Sequence, residues 1–174
     1  MKFKKWLLEN DAEHGKEVAI TGFWGKQGAG CIILAKSTKK ILLPHRSSYV
    51  QEPNTWGVWG GAIDEEEDPK TAAQRELKEE AGYDGIAEMI PLSVFEKKTK
   101  KGTFKYHNFL AIIDKEFEPK LNNEHAWETQ GYKWVDFGDW PEPLHFGLQS
   151  LLAKDSQKIK EIIKKIFENQ PYIN

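Results

Sequence analysis

Residues Gly61 to Tyr83 read GAIDEEEDPKTAAQRELKEEAGY, and the rest of the chain is read outward from them. Asp68 is a good N-cap, and Pro69 suits the first helical position because its missing N–H would be unpaired there anyway. Gly82 stands where a left-handed residue closes a helix. The expected helix therefore runs from about Pro69 to Ala81. At roughly 100° per residue, Glu76, Glu79 and Glu80 share one arc with Ala72. Ala73, Leu77 and Ala81 form the neighbouring apolar stripe, while Thr71, Gln74 and Lys78 point to solvent. Like charges one turn apart repel by a few tenths of a kcal/mol in water, and by more when partly buried. A hard divalent cation removes that cost, because carboxylate oxygens are its preferred ligands. The helix alone leaves two readings open, a solvated glutamate-rich face or a metal site.

The spacing around the helix narrows the choice. Five residues separate Gly61 from Glu67, and seven more precede Arg75-Glu76-Leu77-Lys78-Glu79-Glu80-Ala81-Gly82-Tyr83. This pattern resembles the Nudix box of the Nudix hydrolase family, with every charged and glycine position in register. It departs at Tyr83, where an aliphatic residue is usual, and at Trp59, which replaces the usual proline before Gly60-Gly61. Neither departure touches a charged position.

The resemblance implies an α/β protein of Nudix fold, an α/β/α sandwich with a mixed sheet. It also implies hydrolysis of a nucleoside diphosphate linked to another group. By the same resemblance Glu76, Glu79, Glu80 and the Gly61 carbonyl hold Mg²⁺ or Mn²⁺. Glu76, Glu79 or Glu124 takes the proton of the attacking water, with Glu128 in reserve for Glu124. Arg75 and Glu67 form an ion pair that orients the carboxylates. Arg75 lies outside the glutamate arc, which suits a supporting role better than phosphate contact. Arg46, just after a strand, either faces substrate phosphate, as the resemblance implies, or is an exposed loop arginine.

Composition sets the remaining bounds. A chain of 174 residues with 39% hydrophobic and 30% charged content suits a single globular domain. The expected core runs over about residues 25–140, with a helical region over about 144–169. A net charge of −2 gives no basic surface for nucleic acid, which also argues against capped RNA as substrate. The lone cysteine, Cys31, excludes an internal disulfide and opens an apolar run, so it reads as a buried strand thiol. No stretch has the roughly 20 apolar residues of a membrane span, and a cytoplasmic enzyme is expected.

Along the chain, Phe3, Trp6 and Leu7 suggest a short amphipathic segment. Gly22–Gly30 lacks the ending of a phosphate-binding loop and reads as a turn into a strand. Cys31–Ala35 and Ile41–Leu43 form a hairpin, which Pro44-His45-Arg46 ends. In the acidic run Asp64–Asp68, only Glu67 is singled out by the motif. Trp56 or Trp59 has a face suited to stacking on a base, and Trp127 is a further candidate for substrate contact. With seven tryptophans in the chain, most must be structural. Ile86–Ser93 and Val94–Lys98 read as strand segments separated at Pro91, and Phe104–Ile113 as a central strand. Gly131–Val135 is another strand. Ile159, Ile162, Ile163, Ile166 and Phe167 follow helical spacing and are expected to pack on the domain, a homodimer contact being the alternative.

The first substrate expectation is a nucleoside triphosphate, as for a MutT-like house-cleaning enzyme. ADP-ribose and dinucleoside polyphosphates come next. Two other classes remain, a non-hydrolytic nucleotide sensor and an isomerase of the isopentenyl diphosphate type. The sensor has no need of every glutamate, and the isomerase needs a catalytic cysteine.

Overall fold

The structure is a computed structural model that describes residues 27–99, 102–121 and 126–168. The expected segment around Phe3, Trp6 and Leu7 lies outside them, as do Glu124 and the side chain of Phe167. Strands β1 (Gln27–Ala35), β2 (Ile41–Arg46) and β3 (Trp59–Ala62) come first, followed by helix α1 (Pro69–Ala81). Strands β4 (Glu88–Thr99) and β5 (Gly102–Ile113), a short 3-10 turn (Ala126–Glu128), β6 (Thr129–Val135) and helix α2 (Phe146–Glu168) complete the order.

The six strands form one mixed sheet in the order β4-β5-β1-β2-β6. β1 runs parallel to β5 along its whole length. Its other edge is shared: Gly28–Cys31 pair antiparallel with β3, whereas Ile33 and Leu34 pair antiparallel with β2. β1 is thus central, which explains an apolar sequence on both faces. Ala29, Cys31 and Ile33 pack under α1 with Ala72, Ala73, Leu77 and Ala81. Ile32 and Leu34 pack under α2 with Leu148, Leu151 and Ile159. The architecture is the expected α/β/α sandwich.

α1 has the expected bounds for the expected reasons. Asp68 Oδ1 accepts from the amides of Lys70 and Thr71 at 3.0 and 3.1 Å. Gly82 adopts φ 69° and donates to the Lys78 carbonyl at 3.0 Å. Tyr83 packs its ring against Phe117 at 4.9 Å, so the aromatic departure from the motif is absorbed by the core. Ile159, Ile162, Ile163 and Ile166 do pack on the sheet.

Three expectations change. β1 begins at Gln27, inside the glycine-rich stretch expected to be a turn. Ideal Cβ atoms at Gly28 and Gly30 would lie 2.7 and 2.3 Å from atoms of the Tyr106 side chain, so these glycines form a bed for that ring. β2 continues through Pro44, His45 and Arg46 because these residues pair with β6, an edge that local sequence does not reveal. The two segments around Pro91 are one strand, β4, with a bulge between Pro91 and Val94. The bulge is held from α2 and from β5: Asp155 of α2 accepts from the Ser93 amide at 3.0 Å, and Asn108 of β5 donates to the Ser93 carbonyl at 2.9 Å. Those bonds satisfy backbone groups that the displaced ladder leaves unpaired. Among the described residues no helix is long and apolar enough to cross a membrane.

Candidate active site

The fork in β1 creates the site. Because β1 pairs with β3 over only part of its length, the Trp59-Gly60-Gly61 strand is laid directly beneath the glutamate arc of α1. Gly61 faces Glu76 so closely that an ideal Cβ there would lie 2.7 Å from Glu76 Oε1. The Gly60 amide donates to Glu80 Oε2 at 2.7 Å. Small residues on the buried side of α1 (Ala72, Ala73 and Ala81) let the helix lie near the sheet, within reach of these bonds.

Arg75 gathers the remaining carboxylates. Its Nε and Nη2 donate to Glu67 Oε1 and Oε2 at 3.1 and 2.9 Å, a two-pronged pair. Nη2 also donates to the Ala62 carbonyl at 3.0 Å. Nη1 donates to Glu76 Oε1 at 2.8 Å and to Glu79 Oε2 at 3.0 Å. The expected Arg75–Glu67 pair is present, and although Arg75 lies outside the glutamate arc its Nη1 reaches both Glu76 and Glu79. In the acidic run Glu67 is half-buried, and its carboxyl is held below its ordinary range chiefly by the Arg75 hydrogen bonds.

Glu76 and Glu80 are 8% and 7% exposed, an uncommon position for carboxylates. Burial pushes Glu76 up to about 7 against the lowering influence of Arg75, and the charges of Glu79 and Glu128 add to the rise. Burial also drives Glu80 well upward, with Glu128 and Glu76 contributing, while the Gly60 amide opposes the shift. Glu128, on the 3-10 turn, is therefore an acid that faces this cluster.

The donor set suits a hard divalent cation. Two buried carboxylates carry charge that their surroundings penalise, and Gly61 leaves open the space a side chain would take beside Glu76. Among the described residues no three acidic, imidazole or thiol groups already converge as a ready ligand set. Arg75 Nη1 bridges Glu76 and Glu79, while Glu80 bonds the Gly60 amide.

The expected substrate contacts separate. Trp59 is fully buried and donates from Nε1 to the Leu42 carbonyl at 3.3 Å, so it is a core residue with no face for a base. Trp56 is half-buried and stacks on His45, with ring centroids 4.5 Å apart. Trp127 is half-buried on the 3-10 turn. Arg46 is half-buried, and its Nε and Nη2 donate to the Gln51 carbonyl at 3.1 and 2.8 Å. Its charge still reaches the site, favouring ionised Glu80 and, after burial, helping push His145 down to about 4. Cys31 is fully buried, and burial followed by the charges of Glu80 and Glu76 drives its thiol upward, away from the thiolate a nucleophile requires. Sequence reading missed the Gly60 amide and the Tyr106 bed. The available signal was the alternation of Gly28 and Gly30, which puts both on one face of a strand.

Comparison with known proteins gives the family. The Nudix domain family matches residues 25–154. The chain belongs to the Nudix family. A Nudix hydrolase structure from Mycobacterium smegmatis, RenU, superposes with a TM-score of 0.64 at 25% identity, covering 87% of this chain and 92% of that one. The Ap4A hydrolase of C. elegans superposes with a TM-score of 0.57 at 25% identity, covering 77% and 98% of the two chains. In sequence, a Mycobacterium tuberculosis protein provisionally named 8-oxo-dGTP diphosphatase 3 is 41% identical over 64 residues, which are 34% of this chain and 30% of that protein. The chain spans between 25% and 53% of the length of such curated relatives.

Proposed function

We propose that this Nudix chain is a metal-dependent nucleotide pyrophosphohydrolase acting in the cytoplasm. The observation that carries the reading is the pair of buried carboxylates, Glu76 and Glu80, held against Gly60 and Gly61 with Glu79 alongside. Glu76, Glu79, Glu80 and the Gly61 carbonyl would hold Mg²⁺ or Mn²⁺. Such an ion, when bound, neutralises pyrophosphate oxygens and makes a water acidic enough to attack.

The protein's own groups supply position and proton transfer. Glu67 acts through Arg75, which fixes the directions of Glu76 and Glu79. The Gly60 amide fixes Glu80. Glu76, raised towards neutrality, suits the role of proton acceptor from the attacking water. Glu124 was expected to share that role, and Glu128 is the acid that now supports it, since its charge is felt at both buried glutamates. Arg46 is the cation nearest in character to a phosphate contact, and its approach to substrate would exchange the Gln51 carbonyl for a phosphate oxygen.

A nucleoside triphosphate is the first substrate, supported by the relative named for 8-oxo-dGTP. A dinucleoside polyphosphate is the second, supported by the likeness to the Ap4A hydrolase. The deciding experiment is phosphate release, with coupling enzymes, from ordinary and oxidised deoxynucleoside triphosphates, ADP-ribose and diadenosine polyphosphates in Mg²⁺ and in EDTA. Metal-dependent turnover of one class selects it. Silence across the panel with nucleotide binding intact replaces the hydrolase reading with a sensor.

A further inference from the structure

Arg75 has two functionally different sides. One side, Nε and Nη2, is fastened to both oxygens of Glu67 and to the Ala62 carbonyl. The other side is Nη1 alone, shared between Glu76 and Glu79. Those two oxygens belong to the carboxylates assigned above to the metal, so Nη1 and a divalent cation seek the same negative charge. Glu67 is 12% exposed in its side chain and accepts two of the guanidinium's bonds, which makes it an anchor rather than a competitor.

We infer that Arg75 Nη1 is an exchangeable counter-ion for Glu76 and Glu79, displaced by the divalent cation while the Glu67-anchored side of the guanidinium stays in place. This rests on the metal reading above. A fixed tether with a movable end explains why an arginine suits this position: a lysine has one ammonium and cannot hold Glu67 and bridge the other two carboxylates in a planar fork. It also gives buried Glu76 compensation whichever cation is present, which helps keep α1 packed on the sheet.

The test measures Mn²⁺ binding by the loss of the free-ion electron paramagnetic resonance signal, using wild type and Arg75→Gln. Removing the competing cation should tighten Mn²⁺ binding by about tenfold, the scale of charge-assisted hydrogen bonds no longer to be broken. Arg75→Gln should also show a larger Mn²⁺-induced rise in melting temperature than wild type. Equal or weaker Mn²⁺ binding by the variant overturns the inference and leaves Arg75 as a purely positioning residue. A wild-type measurement covers the case in which the variant does not fold. Arg46 and Arg75 are the only arginines in the chain, so their side-chain ¹⁵N resonances are readily told apart. Added Mg²⁺ should speed rotation and solvent exchange at the Arg75 η nitrogens while the Nε signal stays protected. Unchanged η signals at a Mg²⁺ concentration that displaces bound Mn²⁺ overturn the exchange alone. Absence of any Mn²⁺ binding overturns the metal reading along with it.

Discussion

Helices α1 and α2 cover opposite faces of one sheet, yet they bury different chemistry. α2 presents a long apolar stripe, Leu148, Leu151 and Ile159, and its buried polar member, Asp155, bonds the amide of Ser93. α1 has a shorter stripe made largely of alanine and buries two carboxylates next to it. Apolar burial is worth roughly 25 cal/mol per Å², so the larger side chains of α2 contribute more to stability than the alanines of α1. The charges of α1 work against folding until they are compensated. One helix secures the sheet, and the other uses the secured sheet to hold groups that would not stay buried unaided.

Substitutions should separate these roles. The largest expected effect is on activity: Glu80→Gln should lower metal-dependent turnover by about a hundredfold to ten-thousandfold. Its melting temperature in EDTA should hold or rise, because a neutral amide replaces a buried carboxyl driven well upward. A large fall in melting temperature would show that Glu80 is structural after all and erase the contrast. Leu151→Ala should do the opposite, costing about 2–5 kcal/mol in chemical denaturation while the folded fraction keeps its turnover per molecule. Equal losses of activity in both variants would mean that the faces are not independent.

The smallest effect sharpens the comparison through pH. Glu76 is raised from 4.5 to about 7, so on titrating upward the unfolded chain releases this proton before the folded one does. Stability in EDTA should therefore fall as pH rises from about 4.5 to 7, by at most about 3 kcal/mol for this group. Saturating Mg²⁺ should flatten that slope, because a bound cation favours the ionised carboxylate. Glu76→Gln should reduce it in EDTA, leaving the part that belongs to Glu80, whose carboxyl is also driven upward by burial. A slope unchanged by either would place the pH dependence elsewhere.

Much of the molecule was legible because its signals are local. Asp68, Pro69 and Gly82 set the ends of α1 through bonds within one turn, and helical spacing alone grouped Glu76, Glu79 and Glu80. The spacing of Gly61, Glu67 and Arg75 carried the family, and the isoleucines of α2 announced a buried face. What local sequence lacked was partnership. Nothing near Pro44 says that β6 will extend β2 to Arg46, and nothing near Trp59 says that its ring will be enclosed while Trp56 is left half-covered beside His45.

The sequence by itself determined the family, the motif helix and the acidic residues available for chemistry, since these depend on residue type at fixed separations along the chain. Tertiary structure decided the rest: that β1 forks between β2 and β3, that Gly60 and Gly61 thereby meet Glu80 and Glu76, and that Arg75 faces both its anchor and two glutamates. The physical reason is distance. A cap or a periodic stripe is specified within a few residues, whereas burial of a charge depends on which remote backbone and side chains close around it.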